Sequence, residues 1–391
     1  MFSEIARNKY YGLMVILATE NPSEIKKHKA RELLRDIDLN MLFLCACEHD
    51  MESVIYPKLK ELYPGSLPTA WDNRYIETKK RIEFMVLKLT QVADRLDEVG
   101  VPIVALKNGG ISTAIMDDYG KCPMGDIDTL VNKGDFMKAH MILTNMGFTF
   151  KFRSEFEFED IQQAFIDGGT EYFYIDKDDS SKQMWFELSW RAISGRWIRP
   201  DKEPDTEVLI ADSKFIKDYK IRILSPEDNL LQVAIHTAKH SYVREPGFRL
   251  HLDVERIVKH LNIDWDLFLK KVEEVGTKTA VYYSLYISKQ LYDTPIPDYI
   301  LEKLRPCRRK DEYFHRALKK AQLLHPVENK FSKIEFIVFQ LMLYDKFSDV
   351  LNMIFPSIYW LKERYDFRLS VLYPYYVIVR MLDLVGIRKR K

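Results

Sequence analysis

The sequence is short of net charge, of cysteine and of long apolar runs, and each shortage removes a class of protein. Lys and Arg number 59 against 58 Asp and Glu, a formal net charge of +1. No global field therefore favours nucleic acid or an acidic membrane. The four cysteines, Cys45, Cys47, Cys122 and Cys307, show no C-x-x-C spacing. They argue against zinc and for a reducing compartment. The stretch MFSEIARNKYYGLMVILATE carries charges and only a short apolar run. A span needs about 18 uncharged residues, and the stretch does not read as a signal peptide either. A cytoplasmic protein without a membrane span is expected. No internal repeat or low-complexity segment is present. A hydrophobic content of 47% beside 30% charge fits a globular chain, and 391 residues suit two or three domains.

The chemistry concentrates in residues 101–133, VPIVALKNGGISTAIMDDYGKCPMGDIDTLVNK. An apolar run, Ile103 to Leu106, predicts a strand. Lys107-Asn108-Gly109-Gly110 follows, then a helix-compatible segment from Ile111 to Met116. Glycines between strand and helix let a ligand approach the backbone and aim helix N–H groups at an anion. Ser112 and Thr113 would add hydroxyl donors or cap the helix. Asp126 and Asp128 fall on a second strand, flanked by apolar residues. Side chains at i and i+2 share a face, with Cα atoms ~6.5–7 Å apart, near enough to hold one hard cation. Like charges so placed are costly without a cation or a raised pKa. An anion cradle beside paired carboxylates is what Mg-nucleoside triphosphate chemistry requires.

This arrangement resembles the DNA polymerase β-like nucleotidyltransferase superfamily. The fuller string Leu106-Lys107-Asn108-Gly109-Gly110 through Pro123-Met124-Gly125-Asp126-Ile127-Asp128 is similar to one branch, the uncharacterised nucleotidyltransferase family. Two positions depart from that family's pattern. Asn108 stands where the first glycine is common. Cys122 stands where an arginine is common, beside Lys121; a thiol cannot replace an arginine on phosphate. The similarity runs from about Val101 to Val385 and includes Phe355 to Phe367; its sharp part is Leu106 to Val131.

The resemblance implies an α+β protein, with a small mixed-sheet polymerase β-like core flanked by N-terminal and C-terminal helical regions. The expected divisions are 1–100 helical, 101–224 catalytic core and 225–391 helical. In the first region, Met51 to Leu62 and Trp71 to Glu98 read as helices. The second has an apolar stripe of Ile76, Ile82, Met85, Val86, Leu89, Val92, Ala93 and Leu96. In the core, Lys133 to Met146 reads as a helix. Phe148 to Phe152, Thr170 to Asp176 and Met184 to Trp190 read as strands, the last two as a hairpin. After Ser225-Pro226-Glu227-Asp228, a helix start, helices dominate. They include Lys333 to Leu351 as one segment.

The resemblance also implies roles. Asp126 and Asp128 would be catalytic and hold Mg²⁺ or Mn²⁺, with Glu187 as the third acid and metal ligand; Glu171 competes for that role. Lys107, Asn108, Gly109, Gly110 and Ser112 would bind the triphosphate of an NTP. Arg191 and Arg196 are placed to meet phosphate or solvent. His236 and Asp253 would build the acceptor side; His236 and His240, spaced i, i+4, could bind a metal, but the absence of the H-E-x-x-H glutamate favours a core or pocket-wall pair. The implied reaction moves a nucleoside monophosphate to a hydroxyl-type acceptor of unknown identity. Two other readings stay open. A scaffold with a decayed site is supported only by Cys122. A nucleic-acid tailing polymerase lacks a basic stripe with interleaved aromatics.

Overall fold

A computed structural model describes residues 1–391 except 154–158, 194–197, 199, 241–246, 327, 329, 366 and 385–391. The side chains of 200, 353, 354, 360, 363, 364, 383 and 384 are also left aside. Arg196 therefore lies outside the described residues.

The chain is α+β, with helical regions flanking one mixed sheet. Its strands are β1 (Ile103–Leu106), β2 (Asp126–Leu130), β3 (Thr149–Phe150), β4 (Gly169–Ile175), β5 (Gln183–Ser189), β6 (Lys214–Phe215) and β7 (Ile221–Ile223). They lie in the order β3-β4-β5-β2-β1-β7-β6. The pairs β1–β2, β3–β4, β4–β5 and β6–β7 are antiparallel. The pairs β1–β7 and β2–β5 are parallel. The expected β4–β5 hairpin is present. β6 and β7 were not expected; two and three residues long, they are too short to show a period.

The long helix Thr69–Asp97 buries Trp71, Thr78, Ile82, Met85, Val86, Leu89, Val92, Ala93 and Leu96. Ile76, expected in that stripe, is instead exposed; Trp71 and Thr78 fill that end of the buried face. The same helix fixes the loop leading into β2. Tyr75 donates its hydroxyl to Asp118 at 2.8 Å, and its ring lies over Gly120. A Cβ at Gly120 would fall 2.2 Å from that ring, so only glycine lets the loop pass beneath it.

The helix after β1 departs from expectation. It spans Lys107–Ala114, so Gly109 and Gly110 lie inside it and not in a loop before it. Lys107 makes the whole strand-to-helix turn, at φ +49. Gly110 is required by packing: a Cβ there would sit 2.9 Å from the Ala105 carbonyl oxygen.

After residue 225 the chain is helical. Ser225 accepts from the Asp228 N–H at 3.3 Å and so starts helix Pro226–His240. Helix Phe248–His260 packs against it, with helix Lys278–Tyr292 against both. The single helix expected over Lys333 to Leu351 is two, Lys333–Met342 and Phe347–Ile354. The break frees Asp345, whose carboxylate accepts from the N–H groups of Lys278 and Thr279 at 2.7 and 2.8 Å. It thereby caps another helix, a tertiary demand that local periodicity does not reveal.

Candidate active site

Strand alternation puts Asp126 and Asp128 on one face of β2 while Ile127 is fully buried on the other. On the parallel neighbour β5, Glu187 is the register partner of Asp128. One oxygen from each of Asp126, Asp128 and Glu187 lies within 4.8 Å of the other two. Ser189 donates to Glu187 Oε1 at 3.1 Å, which steadies that carboxylate.

Lys107 Nζ reaches Asp128 Oδ1 at 2.5 Å. Burial alone would discharge this ammonium, but Asp128, Glu187 and Asp126 outweigh it and hold it charged, with its pKa raised. Burial raises the Asp128 carboxyl well above the usual range, and Glu187 and Asp126 add to that. Burial works the same way on Glu187. There, Lys107 and hydrogen bonds from Asp128 and Ser189 prevail, and the carboxyl is lowered. The two carboxyls are thus shifted in opposite directions, and Lys107 acts on both to favour the charged form.

These groups open into a cavity of about 350 Å³. Lys107, Asn108, Asp126, Asp128, Glu187 and His236 line it, all of them expected in the site. Gly109, Gly110 and Ser112 do not. The two glycines are buried in the helix, and the Ser112 hydroxyl donates back to the Gly109 carbonyl at 3.2 Å. Asp253 is buried behind the wall. With the Asn108 amide oriented to suit its neighbours, it donates to Asp253 at 3.0 and 3.1 Å and accepts from Arg249 at 2.6 Å. Asp253 therefore sets two groups that line the cavity without lining it itself. His236 lines the cavity and is half-buried. Burial, then the charges of Lys107, His240, Lys239 and Arg249, hold its pKa well below the usual value, so the ring is neutral near pH 7.

Three cationic lining residues were not foreseen: Arg153, Lys239 and Arg249. Lys239 stands three residues after His236 on one helix, and Arg249 four before Asp253 on another. Helical spacing could have found both. Arg153 had no such signal. Its guanidinium donates to Asp126 at 2.6 Å and to Glu171 at 2.8 Å. That pairing occupies Glu171, the competitor for the third acid, which neither joins the cluster nor lines the cavity. Arg191 is held away, donating to Glu203 at 2.7 Å.

Cys122 does not line the cavity either. It is buried, its thiol donates to the Asp118 carbonyl at 3.7 Å, and burial pushes its pKa up to about 11. The adjoining carbonyls are gripped from the helical side. Arg249 donates to the Pro123 carbonyl at 3.0 Å and Arg256 to that of Lys121 at 2.7 Å.

The mixed sheet of this α+β protein thus sets three clustered carboxylates beside a strand that turns directly into a helix. Residues 35–293 match the family described as uncharacterised nucleotidyltransferase, and the chain belongs to that family. Its general chemistry is accordingly nucleotidyl transfer. The match begins in the N-terminal helices, earlier than Val101, and stops short of Phe355 to Phe367. Searches of curated proteins and of solved structures give no match.

Proposed function

We propose that the chain transfers a nucleoside monophosphate from an NTP, such as ATP, to a hydroxyl on a small molecule, peptide or protein. The observation that carries this is the triad of Asp126, Asp128 and Glu187, three hard oxygen donors within 4.8 Å of one another. Such a donor set suits Mg²⁺ or Mn²⁺. Asp126, Asp128 and Glu187 would hold the ion, which when bound supplies charge stabilisation to the attacking and leaving oxygens. The acceptor oxygen forms a bond to the α-phosphorus. The bond from that phosphorus to the β-bridging oxygen breaks, and pyrophosphate leaves.

The chain's own groups divide the remaining work. Glu187, the carboxyl that favours its charge, takes the acceptor proton. Lys107, Lys239 and Arg249 line the cavity as cations and meet the phosphates of the leaving group. Asn108, tied to Asp253 and Arg249, fixes the mouth of the helix beneath them. In this reading Gly109 and Gly110 act through the helix backbone, and Ser112 holds that helix in shape. His236, neutral and at the helical wall, faces the acceptor, with Asp253 positioning that wall from behind. Four free cysteines accord with the reducing cytoplasm.

The test is pyrophosphate release from an NTP with Mg²⁺ and fractionated cell metabolites as acceptors. The wild type should release it with at least one fraction. Glu187→Gln should lose it. His236→Ala should be impaired while its NTP affinity stays within about threefold, a difference of ~0.65 kcal/mol. Transfer by Glu187→Gln at the wild-type rate would overturn the assignment.

A further inference from the structure

The open face of the β4–β5 hairpin carries aromatic rings where a solvated sheet face usually carries polar groups. Strand alternation buries Tyr172, Tyr174, Met184 and Phe186 on one face. Glu171 and Phe173 of β4 share the other face with Trp185 and Glu187 of β5, and all four are half-buried. Phe173 and Trp185 are register partners, with ring centroids 4.9 Å apart. Trp185 is also the register partner of Asp126, as Glu187 is of Asp128. A pair of rings thus adjoins the triad on the same sheet face, and Trp185 stands two residues before Glu187.

The chemistry decides which ligand comes here. Transfer at the α-phosphorus is in line, with the acceptor and the leaving pyrophosphate on opposite sides. The cations assigned to the pyrophosphate gather on one side of the triad, around helix Lys107–Ala114. Lys107 opens that helix and Arg249 is bonded to its Asn108. Lys239 is on helix Pro226–His240, which packs against it. The opposite side of the triad lies over β5 and β4, where Trp185 and Phe173 stand. The cavity, at about 350 Å³, is at the small end of the ~300–1,000 Å³ of ligand sites. A nucleotide fills it, so the body of the acceptor lies beyond its rim. Trp185 does not line the cavity; it continues the floor past the rim at Arg153. Arg153 shows what the indole accepts. Its flat guanidinium lies 5.4 Å from the centroid of the Trp185 ring, held there by Asp126 and Glu171. An ion at Asp126 takes one of those partners, and the guanidinium can then yield the indole to another flat group.

We propose that the acceptor carries its hydroxyl on or beside a flat ring, and that this ring lies on Trp185, with Phe173 bracing the indole. This rests on the nucleotidyl transfer proposed above. The test is saturation-transfer NMR of the full chain with Mg²⁺ and α,β-methylene-ATP, whose α–β linkage transfer cannot break. The probes are benzyl alcohol, methyl β-glucopyranoside and propan-1-ol. A ring probe should receive at least about threefold more saturation than propan-1-ol. Which of the two rings does so separates an aromatic acceptor from a sugar. Trp185→Leu should keep the wild-type melting temperature and analogue affinity and lose the ring signal by at least about threefold. Trp185→Phe should retain it. Equal signals from all three probes in the wild type would overturn the proposal whatever the variants do. So would an undiminished ring signal in folded Trp185→Leu. Weaker analogue binding by that variant would also overturn it, by giving the indole to the nucleobase. Failure of the ring probes alone leaves the transfer reading standing. Absence of Mg²⁺-dependent analogue binding by the wild type would remove that reading, and this proposal with it.

Discussion

Lys107 Nζ lies 2.5 Å from Asp128 Oδ1, an ion pair formed where a strand end turns in one residue into a helix. The positive φ that glycine usually serves is taken here by a lysine. The unusual backbone thereby aims an ammonium at the most deeply buried acid of the triad.

Lys107→Met leaves Asp128 buried beside Glu187 with no facing cation. Removing one partner of a buried pair costs ~3 kcal/mol or more. Urea unfolding in the presence of a chelator should show that loss. With Mg²⁺ added, most of it should return, because a bound cation replaces the missing charge. An equal loss with and without Mg²⁺ would mean that the carboxylates do not hold an ion.

Arg153 engages Asp126 at 2.6 Å and Glu171 at 2.8 Å, so a cation at Asp126 competes with it. Pairs this exposed are worth ~0.2–1 kcal/mol. Arg153→Ala should therefore tighten Mn²⁺ binding by up to about fivefold, measured by electron paramagnetic resonance of free Mn²⁺. Weaker binding in the variant would show that Arg153 orients Asp126 for the ion.

The carboxylate triad was legible because strand alternation is local. Asp126 and Asp128 had to share a face, and Glu187 stood between apolar neighbours on an adjacent run. The start of the following helix was not legible. Its four-residue difference comes from a backbone turn at Lys107 and from the close pass of Gly110 over Ala105. Neither leaves a periodic trace. The cation Arg153 comes from the loop after β3, and only the fold brings it to Asp126. The break before Phe347 answers to Asp345 capping a helix more than sixty residues away.

His251 is fully buried, and burial pushes its pKa down to about 3. An unfolded histidine titrates near ~6.5. The folded state keeps the stability of the neutral ring above that pH and loses it as pH falls towards about 3. His251→Leu should therefore gain on the wild type by ~1.4 kcal/mol for each pH unit between about pH 6 and pH 5. Urea midpoints across that range check it; a constant difference between the two proteins would contradict it.

Isothermal titration of an NTP into the wild type and into Asp126→Asn/Asp128→Asn, each with and without Mg²⁺, tests the central claim most directly. The triad gathers its oxygens within 4.8 Å beside a cationic cavity, so Mg²⁺ should tighten NTP binding in the wild type. In the folded double variant that tightening should disappear. Equal Mg²⁺-dependent binding by both proteins would contradict the assignment of the carboxylates as the metal-holding centre of a nucleotidyltransferase.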